Sequence, residues 1–244
     1  MIEEYLETSL LVEKERDRIE GTSLSYSATT GSGVSAKEAS DQSRKYLDQI
    51  IRSKMELKGS VEEAVESELS AVLIQEGFGS GLGLIFPPVD LAFVKPPTLL
   101  VTSPRNRIDR LETLLLTPDM SFYERDVIEK EVLENHDVAA LIVDLRGLST
   151  YPTITSDLSP LRAVLQTAAH EWLHAYFFFR PLGFRYGVSE EMFTLNETVA
   201  DLAGRELGDL TFARMGGDLG VSPERFLSGE DRFPRFTREM RETR

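Results

Sequence analysis

Ser159-Pro160-Leu161-Arg162-Ala163-Val164-Leu165-Gln166-Thr167-Ala168-Ala169-His170-Glu171-Trp172-Leu173-His174 opens a helix and sets chemistry on it within four turns. Ser159 suits the N-cap and Pro160 the first helical position, where its missing N–H costs nothing. The helix is expected to run to about Phe179 and to stop before Pro181-Leu182-Gly183. Side chains four apart on a helix share a face. His170 and His174 can therefore hold one metal ion, with Glu171 beside it as a base. The whole chain contains 3 histidines, and two of them lie in this pentapeptide.

A catalytic zinc takes three protein ligands and leaves a fourth position for water. His136 is the remaining histidine. The stronger candidates lie downstream in Asn196-Glu197-Thr198-Val199-Ala200-Asp201, on a helix expected to be capped by Ser189 and to end near Gly208. Glu197 and Asp201 are four apart on one face. One of these carboxylates can bind the metal while the other accepts a hydrogen bond from the far nitrogen of a ligand histidine.

His-Glu-Trp-Leu-His followed by Asn-Glu-Thr-Val-Ala-Asp resembles the gluzincin metallopeptidases, the group that includes thermolysin and the zinc aminopeptidases. The likeness covers roughly residues 138–208. It implies one zinc ion held by His170, His174 and Glu197, with Glu171 as general base and Asp201 orienting a ligand histidine. It also implies a peptide or protein substrate. The chain departs from the pattern in two ways: the spacer of 22 residues between His174 and Glu197 is longer than in the best-known members, and the Gly-x-Met-Glu-Asn string of the zinc aminopeptidases is absent.

Around this segment the sequence predicts an α+β fold. A small, mostly antiparallel sheet packs on the zinc-binding helices, and a helical region precedes it. Residues 1–76 form that N-terminal region: a helix over 2–20, a flexible Ser/Thr/Gly-rich linker over 22–35, and two helices over 36–58 and 60–76, broken at Gly59-Ser60. Residues 77–244 form the zincin-like domain. It opens with a glycine-rich connection and β-like runs at Leu84–Phe86, Val89–Lys95 and Thr98–Thr102. Pro96-Pro97 is expected to turn the last two runs into a hairpin. A helix over 118–135 carries a Ser121/Glu124 capping box. Val138–Val143 follows as a buried strand.

Composition bounds the rest. The chain of 244 residues has a net charge of −14, which excludes a nucleic-acid partner, because no basic stripe offers to neutralise phosphates. With 0 cysteines there is neither a disulfide nor a thiolate ligand, so nitrogen and oxygen must hold any metal. No run is apolar enough to span a bilayer. The acidic start is unlike a signal peptide. The expectation is a cytoplasmic protein if the chain is complete, and otherwise the extracytoplasmic part of a membrane-anchored one. Oligomeric state is not legible.

With zinc bound, Glu171 would take a proton from water and return it to the leaving amine. Tyr151 and Tyr186 are candidate oxyanion or substrate contacts. Blander roles compete. His136 reads as solvent-facing, the aromatic cluster Trp172 and Phe177–Phe179 reads mainly as core, and Arg105, Arg107 and Arg110 read as a solvated mixed-charge face. The alternative for the whole protein is a non-catalytic binding or scaffold module with a structural zinc site, which a fourth protein ligand such as His136 would mark.

Overall fold

The computed structural model describes residues 1–27, 33–107 and 109–220, with the side chains of 20–40 outside the description. The chain is α+β. Its elements are α1 (Ile2–Ser27), α2 (Gly33–Gln75), β1 (Leu91–Phe93), β2 (Thr98–Pro104), β3 (Glu112–Leu116), α3 (Phe122–His136), β4 (Val138–Asp144), β5 (Gly147–Leu148), β6 (Thr153–Thr155), α4 (Leu161–Phe178), α5 (Pro181–Phe184) and α6 (Glu190–Arg214).

Two expectations for the N-terminal half are corrected. The linker predicted over 22–35 is helical at both flanks, since α1 extends to Ser27 and α2 begins at Gly33; residues 28–32 lie outside the described residues. The break at Gly59-Ser60 does not occur. α2 is one helix of 43 residues, because one interior glycine costs only about 1 kcal/mol and tertiary packing outweighs it. Val61, Val65, Leu69, Val72 and Leu73 recur at helical spacing and are buried along one face. They share a single core with Tyr5 and Leu6 of α1, Leu91 and Phe93 of β1, and the buried faces of α4 and α6. The change of composition near residue 77 is thus a change of secondary structure within one core. The residues of 77–244 beyond Gly220 lie outside the description.

The expected single sheet is two sheets of three strands, ordered β1-β6-β5 and β3-β2-β4. Three of the four pairings are antiparallel, and β1 with β6 is parallel. The predicted hairpin across Pro96-Pro97 is not formed. β1 pairs with β6 and β2 with β3 and β4, so the two prolines, which have no N–H to offer a ladder, carry the chain from one sheet to the other. Leu84–Phe86 is not a strand. The edge of β1 facing away from β6 is covered by α2, where Glu66 accepts the Leu91 N–H at 2.8 Å and Glu62 the Phe93 N–H at 2.7 Å.

The second sheet and α3 form a separate, thinly buried layer. α3 begins with the expected capping box, Ser121 and Glu124 each bonding the other's backbone N–H. It buries no residue fully. β4 was expected to be a buried strand, yet Ile142 is its one buried side chain, because its sheet is covered only in part. Among the described residues no helix is long and apolar enough to cross a membrane.

α4 and α6 form the most extensive helix pair. Asn196, Ala200, Gly204 and Gly208 recur every four residues along the buried face of α6. A Cβ at Gly204 would stand 2.8 Å from the His170 Cα, so only glycine permits this approach. Arg162 of α4 then grips Asp209 of α6 through two bonds of 2.7 Å. The N-cap of α4 is Pro160, without a side-chain bond, in place of the predicted Ser159; Ser189 does cap α6, accepting the Met192 N–H at 3.3 Å.

Candidate metal centre

The helix pair brings His170, His174 and Glu197 together. The two Nε2 atoms are 3.0 Å apart, and the Glu197 Oε2 lies 3.7 Å from that of His170 and 3.6 Å from that of His174. A point equidistant from the three atoms lies about 2.0 Å from each, the length of a bond from nitrogen or oxygen to a first-row divalent metal. The Glu171 carboxylate also falls within 4.8 Å of both imidazole nitrogens. This His-Glu-His group has the arrangement of a metal site. Of the two carboxylates, Glu197 makes the tighter triangle and fits as third ligand, which leaves Glu171 beside it.

The orienting bond expected from Asp201 is made by Asn196. Its Oδ1 accepts the His174 Nδ1–H at 2.9 Å, while its own amide donates to the Leu182 carbonyl at 3.3 Å, which fixes the amide's orientation. With the proton on Nδ1, His174 turns an Nε2 lone pair toward His170 and Glu197. Asp201 pairs with Arg205 at the exposed surface, 3.0 Å away, one turn along the same helix. The Ala200 backbone beside the His170 ring favours its protonated form. Asn196 stands in the quoted string next to Glu197, but spacing alone could not distinguish its buried amide from the carboxylate at 201.

Charge at the site is coupled. Burial and the neighbouring His174 push the His170 pKa down. Burial also pulls on His174, but the Glu197 carboxylate outweighs it and the net shift is upward; reciprocally, the His174 contact lowers Glu197. Partial desolvation and the nearby Glu197 push the half-buried Glu171 up to about 7 against the opposing pull of His174.

β5 and the turn after it lie over Glu171. A Cβ at Gly147 would meet the Glu171 Cγ at 2.7 Å, and the Ser149 hydroxyl donates to the Glu171 carbonyl at 3.0 Å. Neither contact is visible from sequence, since two-residue strands carry no periodic signal. Tyr151 follows in that turn and is 61% exposed. Tyr186 joins the site directly: its hydroxyl donates to the Glu197 Oε1 at 2.8 Å, leaving Oε2 to face the histidines. Burial and that carboxylate raise its pKa. His136 is exposed at the end of α3, outside the group.

Trp172 and Phe177 are core, Trp172 donating from its indole to the Pro87 carbonyl at 3.0 Å, whereas Phe178 and Phe179 are exposed. A cavity of about 1010 Å³ lies elsewhere, between α1 and the start of α3. Lys95 and Arg125 on its wall are already paired with Glu13, Asp119 and Asp144. Compared with known proteins, the chain matches no family model, no curated protein and no solved structure.

Proposed function

We propose that the chain is a zinc-dependent metallopeptidase of gluzincin type. The observation that carries this reading is the His170–His174–Glu197 triangle with the half-buried Glu171 carboxylate beside it. Two imidazoles and a carboxylate at these separations suit one zinc ion, and imidazole ligands disfavour magnesium or calcium. When bound, zinc supplies a Lewis acid that makes water nucleophilic near neutral pH and polarises a carbonyl.

The chain's own groups supply the rest. Glu171 would receive the proton of the attacking water and deliver it to the departing amine. Asn196 holds the His174 imidazole, and Tyr186 holds Glu197. The substrate is a peptide or protein. The competing reading, a structural zinc module, calls for a fourth protein ligand, and His136 stands away from the group.

Two variants test the reading. Glu171→Gln is expected to keep one zinc per chain and lose at least about 100-fold in kcat/KM on a peptide library. Glu197→Ala is expected to lose zinc in elemental analysis. Full activity in the first, or undiminished zinc affinity in the second, would remove the residue from its role.

A further inference from the structure

Arg105, Arg107 and Arg110 follow one another in the loop between β2 and β3 of an acidic chain, yet they end differently. Arg105 pairs with Asp137 at 2.8 Å and Arg107 with Asp109 at 3.1 Å. Among the described residues Arg110 forms no ion pair, although the chain carries 41 carboxylates. Its guanidinium lies over the ring of Phe193, 4.5 Å from the centroid. The Phe193 ring packs on Tyr186 at 5.2 Å, and Tyr186 bonds Glu197. The loop is pinned in this position by Ser103, whose hydroxyl donates to the Arg107 carbonyl and accepts from the Asp109 N–H.

A guanidinium held over a ring gives up none of its N–H donors to an acceptor there, so they remain free in the fork that matches a carboxylate. The ring contact therefore places the group beside Tyr186 without consuming its donors. We propose that Arg110 is a specificity-determining residue that binds a carboxylate of the peptide substrate close to the metal centre. This deepens the metallopeptidase reading and rests on it for the identity of the ligand as a peptide. The carboxylate can be a free C-terminus or an acidic side chain, and the test separates the two.

The probes are acetyl-Ala-Phe-Ala-Ala as the free acid, the same peptide as its amide, and the amide with Glu in the last position. Binding is measured by calorimetry on zinc-loaded Glu171→Gln protein, and cleavage on the wild type. At least one acidic form is expected to bind about 10-fold tighter than the neutral amide. Arg110→Ala erases that preference and Arg110→Lys retains part of it. Preference for the free acid alone identifies the C-terminus as the partner; preference for the Glu peptide identifies the side chain. Equal binding of all three, no binding of any, or a preference that survives Arg110→Ala overturns the assignment. If the wild type nevertheless cleaves all three equally, the peptidase reading stands without it. If none is cleaved while the Arg110-dependent preference is measured, the peptidase reading fails and Arg110 stands as a carboxylate-binding residue without a role in substrate choice.

Discussion

Asn196 is 1% exposed, and a buried amide needs partners on both of its ends. It finds His174 on one side and the Leu182 carbonyl on the other. Replacing it with alanine leaves the His174 Nδ1–H without its acceptor and frees the ring to turn. Asn196→Ala is expected to lower zinc affinity by about 10- to 100-fold, with Asn196→Asp restoring most of it, as read by competition with a chelator. An alanine variant with wild-type affinity would show that the bond does not orient the ligand. The residue scale is also where spacing misled: Glu197 and Asp201 look equivalent on a helical wheel, but Arg205 sits four residues after Asp201 and draws it to the surface.

At the scale of elements, the site is a property of how closely α4 and α6 approach. Gly204→Ala would place a methyl 2.8 Å from the His170 backbone, where neither helix can yield alone. The expected cost is about 1–3 kcal/mol in denaturant unfolding, together with substoichiometric zinc; a variant that keeps both stability and metal would mean that the pair has slack. The Arg162–Asp209 bridge holds the other end of the contact, and the hydrogen bonds from Arg162, aided by Gln166, hold the Asp209 carboxyl below its usual range. A depressed folded-state pKa contributes stability above the unfolded value, and that contribution disappears as pH falls through the folded one. Asp209→Asn is therefore expected to destabilise by about 1–2 kcal/mol at pH 7, with the gap to wild type closing once pH drops below about 3.8. A gap independent of pH would assign the loss to packing.

Over the whole molecule, legibility followed the range of the interactions. The Ser121 box, the Ser189 cap and the His170/His174 pair are local, depend on residues within four positions of each other, and could be read directly. The parallel pairing of Leu91–Phe93 with Thr153–Thr155 joins strands some sixty residues apart, and three-residue strands have too little alternation to announce a partner. The β5 cover over Glu171 and the uninterrupted α2 were likewise settled by packing. One long-range contact changes how the metal-binding segment is regarded. Asp157, just ahead of α4, is buried against the hydroxyls of Tyr5 and Ser9 and the ammonium of Lys54, all within 3.0 Å. A fragment cut to contain only α3 through α6 would strip that carboxylate of every one of these partners. The pentapeptide is thus not a transplantable module: its foundation includes the first ten residues of the chain, and grafting the two helices alone would carry the ligands without their footing.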